Sequence, residues 1–392
     1  MNFFFFYISL MLLLAEESNQ QCFSGVKFKS IPPNHLYNRL KKPLVIGYLG
    51  NIIRFQENSL EGMMNLIQIN ADGMHMQVQL TKDNQLILFG DDNFYRLTKE
   101  DFLVENLPFS EIVKMNIQKE IEYKLSDSTT IKKIYGSTVK VPLLSTVLNS
   151  IKGNNKLIYI ELVPNHIPPQ NPLDRHRAVE VAKLVGNLVK QLQLENDVFI
   201  VSKDPFKIYA LSYYHPQLQF GWWPDVKMFD NITAYKMKEE YNDIPVIYES
   251  NCFDGTENGF LFAKYLLTSG MLAKSINSTL IDLPLEIYSN MTYFSNKITE
   301  TNIVPILQSN YGQGTSIGLF GVFSDKSALY SPEDDLKFIR SLTDNGLTRF
   351  ITNDVNRVKI ALQRIVLESS STSLNSPRWP ILLGLFISFL CL

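Results

Sequence analysis

The residues able to do chemistry gather around one stretch, Ala71 to Asp92 (ADGMHMQVQLTKDNQLILFGDD). His75, Asp91 and Asp92 fall inside it, Glu57 lies upstream, and Glu161 sits in a later apolar run. A histidine titrates near neutral pH and can move protons. Carboxylates hold hard divalent cations, which need oxygen ligands. Histidine combined with carboxylates, here His75 with Glu161 and Asp92, suits a transition metal such as zinc instead. A lone strand histidine also has a plainer reading, as a hydrogen-bonded structural residue. His166, His176 and His215 show no metal-ligand spacing. Asp91-Asp92 equally suits a turn and a helix cap.

The elements that must position these residues follow from periodicity. Met74, Met76 and Val78 alternate with His75, Gln77 and Gln79, the period of a strand with two different faces. Lys82-Asp83-Asn84 supplies turn chemistry, Gln85 to Phe89 reads as a buried strand, and Gly90-Asp91-Asp92 breaks it into a polar loop. Leu44 to Tyr48 is an earlier strand. Glu57-Asn58-Ser59 opens a helix with Leu60, Met63, Met64 and Ile67 at helical spacing. Residues 94–140 read as loops and short helices, and 145–151 as a helix. Beyond them, strands at 157–163, 197–202, 218–222, 316–323 and 349–352 alternate with helices at 174–194, 205–214, 332–344 and 354–367. Leu157 to Val163 is hydrophobic on both faces, as in a parallel sheet. With 44–48, 73–79 and 85–89 the strands number eight, and strand–helix alternation predicts an α/β chain folded as a (β/α)8 TIM barrel over residues 43–367. Residues 223–315 loosen this pattern and read as a long excursion between the sixth and seventh strands. Trp222-Trp223 and Phe220 suit core or rim packing, or an apolar or sugar-binding pocket at the mouth.

The chain has 392 residues, 45% of them hydrophobic, and a formal charge of −2. That is ample for a sizeable core, and the balanced charge gives no electrostatic case for nucleic acid. Residues 1–20 contain the apolar run FFFFYISLMLLLA and read as a signal peptide. Residues 368–392 read as a linker and GPI-anchor signal: small residues with Ser370 or Ser371 as attachment site, a polar spacer, then ILLGLFISFLCL. A retained tail anchor or a packed terminal segment is the other reading of that tail. The expected location is the cell surface, with a lipid anchor in the outer plasma membrane. Cys22 and Cys252 would remain there, as a disulfide or as two buried thiols. The sequons at Asn231, Asn277 and Asn290 would carry glycans, and those on the excursion are expected partly to cover the mouth.

The QLTKDN and LFGDD segments resemble the glycerophosphodiester phosphodiesterases, barrels of the phospholipase-C-like phosphodiesterase type. The resemblance is specific near residues 43–92 and faint to residue 367. It implies two catalytic histidines and a calcium or magnesium ion held by carboxylates. The family's metal-binding Glu and Asp fall on His75 and Gln77. Its catalytic histidines fall on Tyr48 and Gly90. Glu161 matches the third carboxylate, and Val163 stands where a lysine is usual. An unperturbed phenol titrates near pH ~10, so Tyr48 is no substitute for histidine. The resemblance therefore implies a degenerate member without a cofactor, whose remnant pocket is Glu57, His75, Gln77, Asp92 and Glu161. Its partner would be an extracellular ligand or protein, with a glycerophosphodiester or lysophospholipid as candidate. An active metal-dependent phosphodiesterase with replaced residues is the alternative.

Overall fold

A computed structural model describes residues 29–124, 130–164, 172–230, 237, 244, 263, 266–289, 303–312, 316–322 and 331–374. The signal-peptide and anchor tails, Cys22, Cys252, Asn231 and Asn290 lie outside them. The described strands are β1 (Leu44–Gly47), β2 (Gly73–Leu80), β3 (Leu86–Leu88), β4 (Glu120–Lys124), β5 (Thr130–Ile134), β6 (Leu157–Leu162), β7 (Val198–Ser202), β8 (Gln219–Trp222), β9 (Leu280–Pro284), β10 (Ser316–Val322) and β11 (Arg349–Thr352).

Eight of these close a parallel barrel in the order β1-β2-β6-β7-β8-β9-β10-β11, with β11 pairing back to β1. The eight are not those expected from the sequence. Leu86–Leu88 is no barrel stave: it pairs antiparallel with β2. The missing stave, Leu280–Pro284, lies inside the stretch read as an excursion and pairs parallel with both β8 and β10. The last helix also runs further than expected, from Val355 to Leu374, through the serines read as linker.

Alternation along each stave builds two cores. Val45, Met74, Met76, Val78, Ile158, Ile160, Phe220 and Trp222 face outward and pack under the helices. Leu44, Ile46, Tyr159, Phe199, Val201, Trp223 and Ile351 face inward. Two apolar faces per stave explain the unbroken hydrophobic runs in the sequence. Phe220 and Trp222 are thus outer core, and only Trp223 of that trio enters the barrel.

The interior also holds a buried ion pair. Arg349 on β11 donates to Asp282 Oδ1 from Nε (3.0 Å) and Nη2 (2.7 Å), and both side chains are fully buried. Asp282 Oδ2 accepts from the Trp223 indole at 2.9 Å. Gly318 makes the room, since a Cβ there would stand 1.9 Å from Asp282 Oδ1.

The floor, at the N-terminal ends of the strands, is sealed by residues 29–43. His35 is buried and stacks on Phe199. Its Nδ1 accepts from Tyr37 N (3.2 Å) and its Nε2 meets Val198 O (3.2 Å), which fits a neutral ring. Burial lowers its pKa to about 4. Lys29 donates to Pro216 O and Leu218 O nearby.

Candidate functional site

At the opposite end, β1 and β2 deliver Tyr48, His75 and Gln77, and β6 delivers Glu161. The helix Leu60–Gln68 is started by Ser59, whose hydroxyl accepts from Gly62 N. The loop before it places Asn58 with φ 54°, and its side-chain oxygen accepts from Gln77 N at 2.9 Å.

The mouth is filled by four stacked rings. Tyr48 lies on His75 (4.8 Å), His75 on Trp223 (5.1 Å) and Trp223 on Phe320 (4.7 Å). His75 Nε2 is 3.3 Å from Glu161 Oε2, and both side chains are essentially inaccessible to solvent. Gln77 Nε2 donates to the same oxygen at 2.9 Å. Burial alone would raise the Glu161 pKa, but the adjacent His75 ring, the field of Lys203 and the Gln77 amide outweigh it and hold that carboxyl down at about 2. Burial, together with the charges of Glu161 and Glu57, pushes the Tyr48 phenol well above its ordinary range, which leaves it a neutral hydroxyl.

The other carboxylates turn away from this cluster. Arg96 grips Glu57 with both terminal nitrogens (3.0 and 2.5 Å) and Asp91 through Nε (2.6 Å) and Nη2 (3.0 Å). Tyr123 of the β4–β5 hairpin lies over that guanidinium, and its hydroxyl meets Tyr135, which donates to Ile52 O. The segment between β3 and β6 thus has its own small apolar core and is fastened across the loop after β1. The sequence showed loops and short helices there, and the hairpin was not read. Asp91 and Asp92 line an open hollow with Asn93, Tyr95, Arg96 and Asp101.

Of the remnant pocket read from the sequence, the fold brings together His75, Gln77 and Glu161. It sends Glu57 to Arg96 and Asp92 to the outer hollow. The zinc set of His75, Glu161 and Asp92 is not assembled: among the described residues no three His, Cys, Asp or Glu side chains converge on one point. Gly90 explains part of the geometry. A Cβ there would stand 2.1 Å from Gln77 Oε1, so the glutamine fills the space that a side chain at position 90 would need. A hard divalent cation does not fit this donor set, because Glu57 and Asp91 already face Arg96 and Glu161 faces Gln77. Arg96, Asn58 and Phe320 were missed as site residues; none has a local signal, because each meets its partner only through the closed barrel.

Eight closed parallel staves with helices packed outside them define a (β/α)8 barrel. Residues 47–227 match the model of the glycerophosphoryl diester phosphodiesterase family. The chain is 24% identical over 180 residues to a glycerophosphodiester phosphodiesterase of Caldanaerobacter subterraneus, covering 46% of this chain and 66% of that one. Two further curated relatives are matched over 56% and 55% of their lengths. Among solved structures, the fold is similar to an Oleispira antarctica phosphodiesterase in complex with the product sn-glycerol-3-phosphate (TM-score 0.53, 14% identity, 84% of this chain, 99% of that one). It is also similar to a glycerophosphodiester phosphodiesterase of Parabacteroides distasonis (TM-score 0.51, 15% identity, 83% of this chain, 100% of that one). These two likenesses speak to the fold alone. Among the described residues no helix is long and apolar enough to cross a membrane.

Proposed function

We propose that this protein is a pseudoenzyme of its family that acts by binding an extracellular ligand or protein partner rather than by hydrolysis. One observation carries this reading: the groups that would face a diester and its cation are already engaged with each other. Glu161 faces His75 and Gln77, position 90 has no side chain, and the ring stack occupies the mouth. Hydrolysis of a phosphodiester needs charge stabilisation on the phosphoryl oxygens and a positioned proton donor or acceptor. A neutral phenol and a glycine supply neither. The apolar terminal segments and the sequons support export and a lipid anchor as the setting.

The test is turnover of glycerophosphocholine and lysophospholipid by the purified protein with calcium, magnesium or zinc, beside the Caldanaerobacter subterraneus glycerophosphodiester phosphodiesterase as positive control. No product above blank is expected. Metal-dependent product that disappears in Glu161→Ala would overturn the proposal in favour of a replaced catalytic set.

A further inference from the structure

The turn that leads into β9 carries Asn277-Ser278-Thr279, an N-glycosylation acceptor sequence. Of its three residues only Asn277 is exposed. Its φ of 55° is left-handed, a conformation asparagine tolerates better than most side chains. The two hydroxyls beside it are buried and committed. Ser278 Oγ donates to Leu280 O (2.7 Å) and accepts from Trp222 N (3.1 Å). Thr279 Oγ1 donates to Phe220 O at 3.0 Å, and Thr279 N donates to the same carbonyl at 2.8 Å. These bonds help to join β8 to β9 where the two staves pair over only two residue pairs.

A glycosyl transferase that selects N-x-S/T must read the hydroxyl at the third position. In the folded barrel that hydroxyl is turned inward and bonded. We infer that Asn277 is an N-glycosylation site modified before β9 docks, and closed to modification afterwards. The donor is an oligosaccharide linked through C1 to a lipid diphosphate. The C1–O bond breaks and the diphosphate leaves with its electrons. A C1–Nδ2 bond forms to Asn277, and the amide gives up one proton. Asn277 precedes β9, so its glycan would project from the floor face. For this sequon the expectation that sugars cover the mouth is therefore reversed.

The test uses the full chain with Asn231→Gln and Asn290→Gln, so that only one acceptor remains. It is secreted from a eukaryotic host behind a heterologous leader, which separates this inference from the reading of the chain's own export signal. Peptide mass spectrometry after enzymatic deglycosylation should show Asn277 converted to Asp in most molecules, and Asn277→Gln should remove one glycan from the gel mobility. The same chain, folded in a bacterial cytosol, is then given purified transferase and lipid-linked donor. The folded protein should remain at least tenfold less modified than a synthetic peptide spanning residues 272–283. An unoccupied Asn277 in the secreted protein overturns the site. Equal modification of folded protein and peptide overturns the order of events. Should Asn277→Gln fail to fold, Thr279→Ser, which keeps the hydroxyl, must retain the glycan.

Discussion

The two ends of the barrel interior are both closed, and each closure contains a buried histidine, but the chemistry is opposite. At the floor, His35 meets a backbone N–H and a backbone carbonyl, so the neutral ring is satisfied and burial depresses its pKa to about 4. At the mouth, His75 lies between two aromatic faces with a buried carboxylate beside Nε2. The partner at the second nitrogen decides what a buried histidine does. The floor is ordinary structural closure. The mouth instead sets polar side chains against one another, with His75 and Gln77 both at Glu161.

Removing one partner of a buried pair should have the largest effect, and it tests whether the shared interior rather than either end holds the barrel. Asp282→Asn leaves Arg349 without its counter-charge and weakens the anchor of Trp223, so a loss of about 3–5 kcal/mol in chemical denaturation is expected. A loss below 1 kcal/mol would mean that the pair is dispensable.

Acid should then separate the two ends. The His35 pKa falls from 6.5 unfolded to about 4 folded, so its contribution is full above 6.5 and disappears as pH drops towards 4. The Glu161 pKa falls from 4.5 to about 2, so its contribution is full above 4.5 and disappears towards 2. Urea midpoints measured from pH 8 to 2.5 should decline in two stages. His35→Gln should remove the first and Glu161→Gln the second. One undivided decline unaffected by either variant would refute the contrast.

Gly90→His probes the mouth alone. The new side chain meets Gln77, so overpacking of about 1–3 kcal/mol is expected. Gln77→Ala should relieve most of it, and a double-mutant cycle reads this coupling; simple additivity would show that the two positions do not share space. The smallest effect belongs to the floor rim. Lys29→Met removes two backbone hydrogen bonds, for a loss of about 1 kcal/mol.

Much of the frame was legible in the sequence. The alternation from Met74 to Gln79 correctly separated an outward methionine face from an inward polar one, because both faces are local to one strand. The helix at 332–344 was legible for the same reason: the Ser331 side chain and Asp334 form a capping box within one turn. Leu280–Pro284 was not legible. Its central aspartate and terminal proline argue against a buried stave, and Asp282 is tolerated only because Arg349 lies opposite it, 67 residues away along the chain. Leu86–Leu88 was mistaken for a stave because an apolar run does not reveal its pairing direction. At the mouth, His75, Gln77 and Glu161 were legible as site residues. Phe320 and Arg96 were hidden, since they acquire their roles only when distant segments meet.

The helix Val355–Leu374 has a mechanical consequence. Twenty residues of α-helix measure about 30 Å, whereas the four-residue β11 that feeds it spans only about 13 Å. The helix runs back from the mouth end and outreaches the strand that feeds it, and Val366 and Leu367 near its end are exposed. It acts as a strut: its later turns pass beyond the reach of β11 and are braced from the preceding helix, where Arg340 meets Glu368.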